Sequence, residues 1–533
     1  MAGAAGVPCK VSLRAARWLT GIAAFILDAP SAAPQFPMSV SSRPAASDLA
    51  SKPDLARKAD PSHTPEVAHK SDHVQKAEIA HKPEIDADGV PMPRRLAAVA
   101  AILGAIVLVV LDGAIANVAL PHIAQHLSAS PADTVWVVTA YQLVVVMFLL
   151  PAAALGERLG YRRVFVSGVA LFTAASALCA MAPSLAWLVA GRCLQGLGSA
   201  AVMPLGLALL RFTYPKRLLG QAIAYNALAV AAASAAGPAV GAAILSVASW
   251  PWLFAVNLPV GLLVLLAARS LPATPGAPRA IDPWSVLLNA AMFACFVMGG
   301  DRVIAEPLQG GGLLAVAVGC LVMLVRRELP RAAPLIPLDL LRSPPFRMSI
   351  VASVCCFTGQ MASYVALPFY MHHVLGLGVL ETGLLMTPWP LAVMATAPLA
   401  GKLADRVSTA RLCAIGGAAL AAGLMLCAFW PVQADPRPAL VAFTVLAGAG
   451  FGLFQTPNNR NMLLSAPKDR SGAAGGAQGM ARLTGQTMGS LLMGLLFTAL
   501  PAASASHAGL AVAAGFALAA GLISLLRGET QRS

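Results

Sequence analysis

Fourteen long apolar segments constrain this chain more than any other feature of its sequence. A bilayer crossing takes about 20 mostly apolar residues. Segments of that kind recur from 96–118 and 134–156, through 283–301 and 311–325, to 474–500 and 508–526. Inside lipid each backbone donor and acceptor must be satisfied within its own segment, so each stretch is predicted to be an α-helix. The chain is 58% hydrophobic and 11% charged, whereas a soluble domain averages about 25% charged residues. The expected fold class is an all-α membrane protein with fourteen transmembrane helices.

The basic residues test that count. With loops placed alternately on two sides, 22 Lys and Arg fall on one side and only Arg302 and Arg437 on the other. Lys and Arg are retained in the cytoplasm, so the bias puts both termini inside. Residues 1–90 carry ten basic and ten acidic groups, so the whole net charge of +14 lies in 91–533. It is spread over short loops between apolar segments, a topology signal and not a phosphate-binding face, which argues against nucleic acid as a partner. Eight of the nine cysteines lie within apolar segments and none is paired as C-x-x-C. They read as small packing residues, with neither a disulfide framework nor a metal site.

Residues 1–91 precede the first span. From 29 onward they are rich in Pro, Ala, Ser and charge, and are expected to stay disordered. A twelve-residue repeat runs three times, as PDLARKAD from Pro53, PEVAHKSD from Pro65 and AEIAHKPE from Ala77. His69 and His73 lie one helical turn apart, but a solvated tail is favoured over a metal site. The apolar stretch at 18–27 resembles a signal-peptide core. Cleavage there would invert the first span against the charge rule, so that reading is rejected. Met92 directly precedes Pro93-Arg94-Arg95 and the first span, and is an alternative start.

The chain also repeats itself. ALGERLGYRRV (Ala154–Val164) follows the second span and GKLADRV (Gly401–Val407) follows the tenth. Two six-span halves, within 92–270 and 347–533, with two linking helices in 271–346, account for this spacing. Repeated halves around a central site are a transporter architecture.

One residue is out of place in hydrocarbon. Asp112, in LDGAIANVALP (Leu111–Pro121), is the only acid well inside an apolar segment. Burying a carboxylate there is costly unless it faces a polar cavity, finds a partner or takes up a proton. Arg192, in LVAGRCLQGLGSA (Leu188–Ala200), lies about seven residues from the outer end of the fourth span, about 11 Å deep. Asp112 lies about six residues from the outer end of the first, about 9 Å deep. The two have opposite charge at similar depth, and Gln195 can orient either.

These stretches carry a family resemblance. The region from about 94 to 527 resembles the major facilitator superfamily, specifically its fourteen-spanner drug:proton antiporters. The resemblance implies a role for Asp112 in proton coupling and for Arg192 in proton transfer, with spans one and four as neighbours. Where the family commonly has Thr two residues after the Asp, this chain has Ala114. SAAGPAVGAA (Ser234–Ala243) matches the antiporter motif through Gly237, Pro238 and Gly241; Gly-Pro bends the helix and small residues allow close approach, forming a seal. The loop motif appears twice, as Glu157, Arg158, Gly160, Arg162 and Arg163, and as Gly401, Asp405 and Arg406, implying charges that latch one conformation. SWPWLFAVNLPVG (Ser249–Gly261) resembles the sixth-span entry, with Trp250 and Trp252 as interfacial anchors. GLFQTPNNRNML (Gly452–Leu463) and ARLTGQTMG (Ala481–Gly489) resemble segments of spans twelve and thirteen. Asn117, Gln195, Gln455, Asn458, Asn459, Arg482 and Gln486 are candidate cavity residues, and Arg460 is expected to snorkel. Tyr141, Phe148, Met203, Met361 and Tyr364 are candidate contacts for a flat lipophilic substrate.

The expected function is a proton-coupled exporter of lipophilic or cationic drug-like compounds working by alternating access, in a bacterial inner membrane. The spans contain no G-x-x-x-x-G-K-[ST], nucleophile elbow, metal-ligand spacing or paired carboxylates, so neither an ATP-driven pump nor an enzyme is expected, and no cofactor. Partners are a small-molecule substrate, protons, the lipid bilayer and, in a host with two membranes, a periplasmic adaptor. The alternatives are export of one metabolite or siderophore, and a non-transporting sensor or scaffold that uses the repeat tail.

Overall fold

The fourteen apolar segments all form helices, and those at 96–118, 311–325 and 508–526 run a turn or more beyond at least one end of the apolar stretch. The structure, a computed structural model, describes residues 89–533 apart from 216–217, 277–280, 332–335, 431–434, 468–469 and 531–533. The tail repeat with its histidine pair, the 18–27 stretch, and Lys216, Arg217, Arg279, Lys468 and Arg532 of the basic count lie outside the described residues. The helices are α1 Arg94–His126, α2 Pro131–Leu159, α3 Tyr161–Ala180, α4 Leu185–Thr213, α5 Leu219–Val247, α6 Trp252–Ser270 and α7 Pro283–Arg302. They continue with α8 Pro307–Glu328, α9 Pro344–His373, α10 Val379–Leu403, α11 Thr409–Phe429, α12 Arg437–Leu464, α13 Ser471–Ala499 and α14 Ala502–Thr530. Thirteen are long and apolar enough to cross a bilayer by length and composition alone. The other, α13, carries Arg482, Gln486 and Ser490 along its middle.

Local chemistry sets several helix starts. Proline occupies the first turn of α2, α7, α8, α9 and α12, where its missing N–H costs no intrahelical bond. Ser130, Ser184, Asp282 and Ser408 cap α2, α4, α7 and α11 by accepting from the backbone N–H three residues on.

The two halves have equivalent neighbours. In the first, α1 packs on α5 and α6, α2 on α4, and α3 on α4 and α6. In the second, α9 packs on α13 and α14, α10 on α12, and α11 on α12 and α14. The halves meet along α2–α13, along α5–α10, and at α1–α9. The linking helices α7 and α8 pack on each other, and α7 reaches α2 and α13. Large apolar side chains face outward where lipid would cover them, Leu262, Leu263 and Leu522 among them, and Leu308 is 91% exposed.

The apolar core is divided unequally along the helix axes. One cluster joins both halves on the side away from the basic loops, running from Ile115 and Val118 of α1 to Phe369, Tyr370 and Met371 of α9. Toward the basic side lie two further clusters, one around Ile102, Phe165 and Leu205 that reaches Leu483 and Leu491 of α13, and a smaller one around Leu340, Phe346 and Met462. The outer connection includes Gln125 of α1 bonded to His372 of α9 at 2.5 Å.

Close helix approaches rest on glycines. A Cβ at Gly416 of α11 would lie 2.6 Å from the Phe454 nitrogen and 2.7 Å from the Gly450 carbonyl of α12. Gly416→Leu is expected to destabilise the fold by about 1–3 kcal/mol through overpacking, whereas Gly312→Leu, in open space on α8, leaves the midpoint unchanged. Thermal unfolding of the detergent-solubilised protein separates the two.

On the basic side Asp282 ties α7 to α8. It accepts from Arg327 Nε at 2.6 Å and Arg331 Nη2 at 2.7 Å, and from Ser285 Oγ at 2.7 Å. The Arg327 hydrogen bond leads the interactions that hold the Asp282 carboxyl well below the usual carboxylate range. Because the folded value is depressed, this tie is complete above about pH 4, the unfolded value, and is lost as the pH falls further. Hydrogen exchange across 283–328 is expected to quicken as the pH is lowered from 6 to 3, after correction for intrinsic rates. Asp282→Asn should show the faster exchange at neutral pH and little further change on acidification.

Candidate functional site

The most polar buried point of the first half is built by four helices. Asp112 of α1 and Arg192 of α4 are 2% and 0% exposed and meet at 2.5 Å through Oδ2 and Nη1. Asn257 of α6 donates to Asp112 Oδ1 at 2.7 Å, and Gln195 donates to the same oxygen at 3.3 Å. Gln195 also accepts from Arg192 Nη1 at 2.8 Å and donates to Ser176 Oγ of α3 at 2.7 Å. Gln195 lies three residues after Arg192, on the same face of α4, which is why one helix supplies both.

Arg192 is held from other directions too. Its Nε donates to the Val137 carbonyl of α2 at 2.9 Å, its guanidinium lies 4.2 Å from the centre of the Tyr141 ring, and Phe254 lies on another side at 5.7 Å. The Tyr141 hydroxyl bonds Ser199 Oγ at 2.7 Å. Nη2 of Arg192 has no hydrogen-bond partner. The pair therefore couples α1, α2, α4 and α6 through one ion pair, with one donor left to engage another group.

Sequence expectation and structure agree on the pairing and differ on depth. α1 runs on to His126, so Asp112 lies fourteen residues from its end, about 21 Å along the axis. The apolar stretch ended at Val118 only because Pro121, His122 and Gln125 break the hydropathy, while the helix continues through Pro121.

Around the pair, the antiporter motif lies against α1. A Cβ at Gly237 would collide with Ala114, two residues from Asp112, and one at Gly241 would lie 3.3 Å from Ile115. Gly383 of α10 packs on Ala242 and on the Pro238 carbonyl. The motif thus lets α5 touch the helix of Asp112 and the opposite half together. Ala114, where Thr is common, is the small residue this contact requires.

Other candidates distribute unevenly. Asn117 is buried and donates to Gly113 of its own helix at 2.9 Å, with Oδ1 unpartnered. Asn458 is not a cavity residue: it is buried, donates to the Ser349 carbonyl at 3.1 Å and accepts from Arg527 at 2.8 Å. That Arg527, one of the basic residues counted on the cytoplasmic side, is itself buried, because the α14 helix carries it among α9, α11 and α12. Gln455, Asn459 and Gln486 are half-buried. Arg482 is half-buried on α13 and reaches Met203 of α4 at 3.5 Å.

The first loop motif packs on the chain that follows α6. Gly160 has φ +96° and fits against the Thr274 carbonyl, and the Arg162 nitrogen donates to Thr274 Oγ1 at 3.0 Å while its guanidinium reaches the Arg269 carbonyl at 3.2 Å. Glu157 is half-buried, and Arg158, Arg163 and Arg406 are exposed. A Cβ at Gly401 would lie 3.8 Å from Thr456 Cγ2, while Asp405 pairs with Arg460 at 2.7 Å, so Arg460 does not simply snorkel. Trp252 is 60% exposed, as an anchor would be, but Trp250 is buried and donates to His126 at 3.2 Å. Asn257 and Ser176 were not singled out from sequence. The polar break at Asn257 in an otherwise apolar sixth span was the available signal.

Removing one member of a buried ion pair strands the other charge, at a cost of about 3–5 kcal/mol. Arg192→Gln is therefore expected to lower the thermal midpoint more than Arg192→Gln combined with Asp112→Asn, which removes both charges. A thermal-shift comparison of both single variants and the double variant measures the coupling.

With this geometry in place, comparison with known proteins is informative. Residues 102–490 match the Major Facilitator Superfamily model. The chain is 45% identical to the uncharacterized transporter YebQ of Escherichia coli (strain K12), covering 85% of this chain and 99% of that protein. It is 32% identical to the tetracenomycin C resistance and export protein of Streptomyces glaucescens, over 76% of each chain. It is 31% identical to the multidrug efflux pump LfrA of Mycolicibacterium smegmatis, over 76% of this chain and 81% of that one. A bacterial Spinster homologue solved in an inward-facing, unoccupied conformation shares the fold at a TM-score of 0.61 and 15% identity, covering 83% of this chain and 98% of that one. The chain belongs to the major facilitator superfamily and is a multi-pass membrane transporter, with drug efflux pumps among its relatives.

Proposed function

We propose that this transporter exports amphiphilic drug-like compounds in exchange for protons, with Asp112 as the proton-carrying group. The observation that carries the reading is the buried Asp112–Arg192 pair, which couples four helices of one half through a charge that a single proton removes. With its basic loops in the cytoplasm, the protein lies in the inner membrane with both termini inside. The apolar cluster that joins α1 and α9 at the end away from the basic loops, with the Gln125–His372 bond beside it, supports a conformation closed to the outside.

The cycle follows from charge balance. Substrate enters between the halves from the cytoplasm or inner leaflet. After export, a proton from outside neutralises Asp112 and frees Arg192 Nη1 from its counter-charge. Gln195, the Val137 carbonyl and the Tyr141 ring continue to hold the guanidinium. Return of the proton to the cytoplasm restores the pair. Proton coupling is a population shift: the two protonation states favour different packings of α1 against α4 and α6. The relatedness to LfrA and to the tetracenomycin exporter supports the drug-like substrate class.

Inverted membrane vesicles with a respiration-driven proton gradient test the reading. A panel of amphiphilic drugs is added while a pH-sensitive dye is followed. Wild type is expected to show substrate-triggered proton release and Asp112→Asn to lose it. Release that survives the substitution moves the proton site elsewhere, and no release with any compound removes the drug-exporter reading.

A further inference from the structure

The seam between the halves holds a cation that no acid answers. Arg482 lies eleven residues into the 29-residue α13, so it is mid-helix. Its Nη2 has only the Met203 sulfur of the opposite half, at 3.5 Å, and its Nε has no partner. Asp112, the acid of the neighbouring half, is committed to Arg192, Asn257 and Gln195. Among the described residues Asp112, Arg192 and Arg482 therefore leave this region with one net positive charge. A cationic substrate meets no free carboxylate here, whereas an anionic one meets a guanidinium without a counter-charge.

The surroundings are those of an amphiphile site. Arg482, Gln486 and Ser490 follow at four-residue spacing along one face of α13. Ser490 donates to Gln142 of α2 at 3.2 Å, and Gln142 to the Met361 sulfur of α9 at 3.3 Å. Met203, Met361 and the Tyr141 ring supply polarisable apolar surface, and Tyr141 lies within electrostatic range of Arg482. A guanidinium with one thioether against it, and an amide, a hydroxyl and a second thioether further along the same seam, match an acid group carried on an apolar body.

We propose that Arg482 is the charge-recognition group for substrate, and that the preferred substrates are amphiphilic monoanions whose carboxylate or comparable group it binds. This rests on the export reading and adds its substrate class. A carboxylate fits the planar fork of the guanidinium and supplies the counter-charge the protein omits.

The test uses the full chain in detergent, without any gradient, and three fluorescent probes on one scaffold. N-dansylglycine carries a carboxylate, its methyl ester carries no charge, and dansylcadaverine carries an amine. Wild type is expected to bind the acid about tenfold or more tighter than the ester, as one charge-assisted hydrogen-bonded contact implies. Arg482→Gln should erase that preference while binding the ester as before, and Arg482→Lys should retain part of it. Ester binding and an unchanged thermal midpoint establish that the variants are folded. Equal binding of acid and ester by wild type, no binding of the acid, or a preference that survives Arg482→Gln overturns the proposal. Asp112→Asn should keep the acid preference, so a failure of proton coupling in vesicles is read separately from a failure of anion recognition.

Discussion

A carboxylate and a guanidinium, each taken out of water and left facing the other, set the terms for the first half of this protein. Neither charge is tolerable alone inside a bilayer. Their mutual contact therefore obliges α1 and α4 to stay together, and the remaining lone pairs and protons draw in Asn257 from α6, Ser176 from α3 and the Val137 carbonyl from α2. Apolar packing holds helices to one another with little directional preference. This polar centre is directional, and it ties the bundle at one depth. A group that both organises the packing and can lose its charge is a natural point for ion binding and shape to be coupled.

The second half has its own buried arginine, with a different solution. Arg527 is satisfied by Ser349 and Asn458, and Asn461 bonds the same Ser349 hydroxyl. Arg527 lies on α14, the counterpart of α6 and not of α4, so the two halves place their buried arginines on different helices. The small residues of Gly237–Gly241 bring α5 onto α1 and α10 together, so one helix touches both the helix of Asp112 and the opposite half.

The architecture was largely legible from the chain itself, because lipid leaves hydropathy and loop charge few ways to disagree. All fourteen segments, the internal duplication and the Asp112–Arg192 contact were visible. Helix ends were not, since α1 continues past Pro121 where the apolar run stops, the helix being set by backbone bonding and not by hydropathy. Polar roles were legible only when charge forced them. Asn458 reads from sequence as a cavity residue, and tertiary packing buries it against Arg527, 69 residues away, and the Ser349 carbonyl, 109 residues away. Asn257 and Ser176 were passed over for the opposite reason: short neutral side chains carry little signal until the fold brings them to a charge.

The pair of linking helices breaks an otherwise two-fold arrangement. The seams α2–α13 and α5–α10 are equivalent by the internal duplication, but α7 lies against both members of the first, and Asn289 on it donates to the Met147 carbonyl of α2 at 2.8 Å. Among the described residues no helix covers the second seam in the same way. The bilayer thus meets a wall on one flank and a joint between moving parts on the other, which gives a symmetric machine a front and a back.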